Sequence, residues 1–162
     1  MKNIYLSLIL LFVFFSSSQT LYAAAGDNFS LKTTSGKTVT LNKLKDKVVY
    51  VDFWASWCAP CRKSFPWMNK MQTKYKSKGL KIIGISLDSD KETTTKFLKK
   101  NPALFTIAYD HEGKVADDYK VQVMPTSYLI GKNGKLLLTH KGFRTSHEEA
   151  LESEIRKALG LK

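Results

Sequence analysis

Cys58 and Cys61 are the only cysteines in the chain, and Ala59 and Pro60 are all that separates them. A thiolate is a strong nucleophile, and a second thiol one helical turn away can release what the first captures. The spacing therefore suits thiol–disulfide exchange. A structural cross-link gains most by closing a long loop, and a two-residue spacer removes little chain entropy, so the pair is poorly placed as a staple. Haem attachment requires a histidine directly after the second cysteine, where Arg62 stands. A zinc site would need two more ligands, and His111, His140 and His147 are not paired at ligand spacing and read as surface side chains. No metal and no cofactor are expected.

The elements around the pair make it reactive. Residues 47–54 form a β-branched and aromatic run with little polarity, the pattern of a central strand buried on both faces. A helix is expected from about Cys58 to Lys76, with Phe65, Met68, Met71 and Tyr75 at spacings of three and four, Gly79 as a stop and Pro66 as a kink. Cys58 then sits at a helix N-terminus, where unpaired N–H groups and the dipole favour an anion, and its pKa can fall from about 8.5 toward 7 or below. Cys61, one turn into the helix, is the more buried and stays protonated until it resolves the mixed disulfide.

The remaining order is β and α in alternation. Residues 29–32 and 38–41 flank Ser35-Gly36 as an N-terminal β-hairpin. Residues 80–87 read as a second buried strand, Asp90 as the cap of a helix over 91–100, 104–109 as a short strand and 114–119 as a short helix. Residues 127–130 and 136–140 form a hairpin across Asn133-Gly134. Ser146-His147-Glu148-Glu149 reads as a capping box for a last amphipathic helix ending at Gly160. The expectation is an α/β fold, a central mixed sheet flanked by helices in one domain, residues 26–162.

Residues 1–25 read as an export signal: Lys2, a dense apolar run over 4–15, a polar stretch over 16–20, and small residues at Ala23-Ala24-Ala25. Twelve helical residues span about 18 Å against a hydrocarbon core of roughly 30 Å, which favours cleavage after Ala25 or Ala23 over an uncleaved membrane anchor. The net charge is +12, and +11 without Lys2. Its lysines are spread along the chain without a tight cluster, so nucleic-acid binding is not expected.

The run Val51-Asp52-Phe53-Trp54-Ala55-Ser56-Trp57-Cys58-Ala59-Pro60-Cys61 resembles the active-site strand and turn of the thioredoxin superfamily, and the N-terminal hairpin resembles its exported TlpA- and ResA-like branch. The resemblance covers roughly residues 28–159. It implies a thioredoxin-like fold and a redox-active Cys58–Cys61 disulfide, with Cys58 nucleophilic and Cys61 resolving. It implies that Trp57 and Pro60 shape the turn. Pro125 matches a cis-proline lying against the pair, so that the Met124 backbone is free to pair with substrate. Gly142 matches a glycine that permits close approach beside the site.

Asp52, six residues before Cys58, matches an acid that exchanges protons with the buried thiol, and burial would raise its pKa. The lysine partner of that acid in thioredoxins is replaced here by the run Ile82-Ile83-Gly84-Ile85. The branch's glutamate after this strand falls at Ser89, beside Asp88.

Direction of exchange depends on how far the dithiol is stabilised. The range from about −270 to about −120 mV is ~7 kcal/mol, and thiolate stabilisation makes a site oxidising. Ala59-Pro60 adds no charge, so a reductase is expected. The resemblance implies oxidised protein substrates, such as apocytochrome c before haem attachment, a membrane thiol-transfer protein as electron donor, and a soluble periplasmic monomer. The alternatives are a disulfide oxidant or isomerase, and a copper-handling module.

Overall fold

The computed structural model describes residues 28–162; the expected signal segment and the start of the domain at residue 26 lie outside them. The elements are β1 (Ser30–Lys32), β2 (Thr38–Thr40), β3 (Val48–Trp54), α1 (Ala59–Tyr75), β4 (Leu80–Ser86), α2 (Lys91–Lys100), β5 (Thr106–Tyr109), α3 (Lys114–Asp118), β6 (Thr126–Ile130), β7 (Leu136–Lys141) and α4 (Glu148–Leu159). They form the thioredoxin-like α/β fold read from the sequence.

All seven residues of β3 are buried, as its unbroken apolar run requires of a strand covered on both faces. It lies at the centre of a five-stranded sheet of order β5-β4-β3-β6-β7. The β4 neighbour is parallel and the β6 neighbour antiparallel. The sheet is therefore mixed, as expected. β1 and β2 form the separate N-terminal hairpin, with Leu31 opposite Val39. A single bridge, Thr33 to Ala108, docks that hairpin on β5.

Side chains alternate across β3, and two cores follow from that alternation. Tyr50 and Trp54 face a cluster with Cys61, Phe65, Trp67 and Met68 of α1. Val49, Val51 and Phe53 face the other side, with Phe29, Val115 and Tyr119. Trp54 meets the Phe65 ring at 4.7 Å and the Phe97 ring at 4.9 Å, tying α1 and α2 to the end of β3 that leads into the cysteines. Each such aromatic pair contributes about 0.5–1.5 kcal/mol beyond its area.

Two glycines have specific causes. A Cβ on Gly84 would stand 3.1 Å from the Trp54 indole nitrogen and 3.0 Å from Phe105 Cε2, tighter than ordinary contact, so a side chain on β4 there would push both rings. Gly142, after β7, has φ +76°, a conformation that favours glycine. A Cβ there would meet nothing within 4 Å, so within the fold it is backbone conformation that favours this glycine.

Several local expectations shift. β5 starts at Thr106 rather than Leu104, and α3 ends at Asp118 rather than Tyr119. The capping box does not form. A 3-10 turn over Thr145–His147 runs straight into α4, so the residue before the helix is His147, already helical, and no side chain caps it. At the other end Gly160 closes α4 in the left-handed conformation, as expected. Asp90 caps α2 by accepting the Thr93 N–H at 2.7 Å.

Candidate active site

β3 delivers the chain into a short turn in which the Cys58 N–H bonds the Ala55 carbonyl at 3.1 Å, and α1 starts at Ala59. Cys58 is the N-cap. Its sulfur accepts the Cys61 N–H at 3.3 Å, filling the side-chain position that Ser or Asp takes at ordinary helix starts. Pro60 fits the first turn because it has no N–H to leave unpaired. The two sulfurs are joined in a disulfide, with Cα atoms 5.3 Å apart. Cys58 is 5% exposed and Cys61 0%, the order expected of an outer and an inner sulfur. Pro66, five residues on, lies within α1.

The Met124–Pro125 bond is cis. The Pro125 carbonyl accepts the Gly142 N–H at 2.7 Å, so the start of β6 and the end of β7 are fastened beside the site. Among the described residues, no hydrogen bond engages the Met124 backbone. A groove of about 550 Å³ brings Met124 together with Trp57, Cys58, Pro60, Gln122 and Val123. Trp57 is 68% exposed and Val123 50%, which gives the rim of the outer sulfur an apolar surface. Val123 and Gln122 carried no motif in the sequence; only the folding of the loop before Pro125 puts them there.

Asp52 is 1% exposed in the middle of β3, on the face shared by Tyr50 and Trp54, which is the face of Cys61. Its cross-strand neighbours are Gly84 on β4 and Ser127 on β6. The Ser127 hydroxyl donates to one carboxyl oxygen at 2.6 Å, and the other has no partner among the described residues. Burial pushes the Asp52 pKa up to about 7, partly offset by the Ser127 hydrogen bond. Burial, together with the neighbouring Asp52, also pushes the Tyr50 hydroxyl up. Ser127 was not singled out in the sequence, because only the strand register reveals that it faces the acid.

The histidines correct one expectation. His140 Nε2 and His147 Nδ1 are 3.1 Å apart, and both rings are half-buried rather than on the open surface. His111 is half-buried as well, with Nδ1 at 2.6 Å from the Asp88 carbonyl. Among the described residues no three His, Cys, Asp or Glu side chains form a metal-binding cluster.

Residues 23–138 match the AhpC/TSA family. The chain is 38% identical over 130 residues to the thiol-disulfide oxidoreductase ResA of Bacillus thuringiensis subsp. konkukian, covering 80% of this chain and 74% of that one. It is 36% identical over 118 residues to ResA of Bacillus subtilis, covering 73% and 66%. Among solved structures, a candidate thiol:disulfide interchange protein DsbE from Chlorobium tepidum is 50% identical, with a TM-score of 0.81 over 83% of this chain and 95% of that one. The outer and inner sulfurs at a helix start, the cis-proline beside them and these relatives agree: the chain belongs to the AhpC/TSA family and is a thiol-disulfide oxidoreductase of the ResA and DsbE type.

Proposed function

We propose that the protein is a reductant of disulfides in exported proteins, working outside the cytoplasm after removal of residues 1–25. The Cys58 thiolate attacks one sulfur of a substrate disulfide, and the other substrate sulfur leaves as thiolate. Cys61 then loses its proton, attacks the Cys58 sulfur and re-forms the Cys58–Cys61 disulfide, which frees the substrate as a dithiol. Two electrons pass to the substrate in each cycle.

Asp52 is the group for the Cys61 proton. It lies on the inner sulfur's face of β3, has one carboxyl oxygen without a partner, and has a pKa of about 7 that lets it take and return a proton near neutrality. Trp57, Pro60, Val123 and Met124 form the docking rim, and the Met124 backbone pairs with an extended substrate segment.

The observation that carries the direction is the sparse support of the outer sulfur. One backbone N–H, from Cys61 at 3.3 Å, reaches it, and the spacer side chains Ala59 and Pro60 are exposed and uncharged. A weakly stabilised thiolate gives electrons away readily. Oxidised CxxC sites, such as those of apocytochrome c before haem attachment, are the substrate class. A membrane thiol-transfer protein returns the electrons, and the protein acts as a monomer. The equilibrium potential of the Cys58–Cys61 couple tests the direction. A value at or below about −230 mV supports a reductant, and a value near −120 mV makes the protein an oxidant.

A further inference from the structure

A second carboxyl group is buried beside the cysteine turn. Asp88, two residues beyond β4, is 1% exposed. One of its oxygens accepts both the N–H and the hydroxyl of Ser56, each at 2.9 Å. The other accepts the hydroxyls of Thr94 at 2.9 Å and Ser86 at 3.2 Å. Every partner of its two oxygens is a hydroxyl or an amide N–H, and the Ser86 and Thr94 hydroxyls also bond each other at 2.8 Å. On its other side the Asp88 carbonyl accepts from His111 Nδ1 at 2.6 Å, so that ring nitrogen carries the hydrogen. Side chains from β4, α2 and the loop after β5 thus converge to hold one anion against Ser56.

Ser56 lies two residues before Cys58, and two peptide units span at most about 7 Å. We propose that Asp88 is a positioning residue whose buried carboxylate clamps the turn ahead of Cys58 and, by its charge, opposes a thiolate there, holding the couple toward the reducing end. Other charges near the turn do not cancel it. Arg62 Nη1 reaches the Ser56 carbonyl at 3.3 Å, but Arg62 is exposed and its field is screened by water. Asp52 lies on the side of β3 that faces Cys61 and carries no positive charge. The dry carboxylate acts through low-dielectric protein, where a charge is felt more strongly.

Asp88→Asn separates the clamp from the charge. The amide oxygen can still accept from Ser56, and the amide nitrogen can donate to the Ser86 and Thr94 hydroxyls, which accept as readily as they donate. The experiment equilibrates parent and variant with reduced and oxidised glutathione, where two glutathiones surrender two electrons and two protons to the disulfide. It also follows the pH dependence of Cys58 alkylation, with circular dichroism as the check on folding.

The expected result is a tenfold shift toward the dithiol, which is about 30 mV more oxidising, with the half-point of alkylation about one unit lower. Asp88→Ser, smaller and also neutral, must shift the couple in the same direction and keeps the test open should the amide disturb the loop. A folded neutral variant with the parent's potential and half-point overturns the proposal. Slower exchange without any shift overturns it too, because that is what a purely structural clamp would give. The inference rests on Cys58 being the attacking sulfur. It is read as a difference between variant and parent, so it stands or falls separately from the parent's own potential.

Discussion

The Ser127 hydroxyl donates to Asp52 at 2.6 Å across the β3–β6 ladder, and the second Asp52 oxygen has no partner among the described residues. One oxygen is thereby anchored while the other is left for a proton. The same pairing explains why the acid is raised only to about 7: burial pushes up and the hydroxyl pulls back.

Asp52→Asn separates stability from catalysis. In the unfolded chain the acid ionises near pH 4, whereas the folded protein keeps the proton until about pH 7. The neutral carboxyl's advantage to the fold is complete below pH 4. As pH rises from 4 to 7 the unfolded state loses a proton that the folded state retains, so stability falls across that window and levels off above it. The variant lacks this slope. At pH 8 it should gain on the parent by on the order of 4 kcal/mol relative to their difference at pH 4. Its turnover with a disulfide substrate at pH 7 should drop by about 100-fold. Denaturation of the oxidised proteins across pH checks the first part, and parallel stability curves would contradict it.

Gly84→Ala tests the bare stretch of β4. The added methyl meets Phe105 Cε2, Ile107 Cδ1 and Trp54 Nε1 at 3.0–3.1 Å, so these side chains must shift by a few tenths of an ångström to admit it. A loss of about 1–3 kcal/mol in chemical denaturation is expected, from overpacking. Because Trp54 leads into the cysteine turn, exchange should slow as well. A variant as stable as the parent would show that the rings can move aside.

Trp57→Ala addresses substrate docking. The side chain is 68% exposed, so its removal should alter stability by less than about 0.5 kcal/mol. It also forms much of the apolar rim of the groove, where an aromatic anchor contributes about 2 kcal/mol of binding. KM for a protein disulfide should rise about tenfold or more, while reaction with a small disulfide such as oxidised glutathione changes little. Equal losses with both substrates would place the effect in the chemistry instead.

Much of this was legible from residue type and spacing. The unbroken apolar run of β3, the start of α1 at Cys58-Ala59-Pro60 with its proline in the first turn and the Asp90 cap are local features, and each appears where local rules put it. The resemblance supplied Pro125, whose cis bond no propensity could reveal. What escaped depends on register and loop packing. Ser127 faces Asp52 only because β6 pairs antiparallel to β3 in one register. His140 meets His147 because β7 turns back into α4 through a 3-10 turn, the same turn that displaced the capping box. Asp88 and Ser56 are 32 residues apart, and nothing in either neighbourhood announces the other.

Exchange at this site runs by attack of the outer sulfur and resolution by the inner one. Mass spectrometry of reduced Cys61→Ser and reduced Cys58→Ser, each mixed with the same disulfide peptide, reads this directly. A stable mixed disulfide on Cys58 in the first variant, with the second unmodified, is the predicted result. Adducts that form on Cys61 as readily as on Cys58 would contradict it.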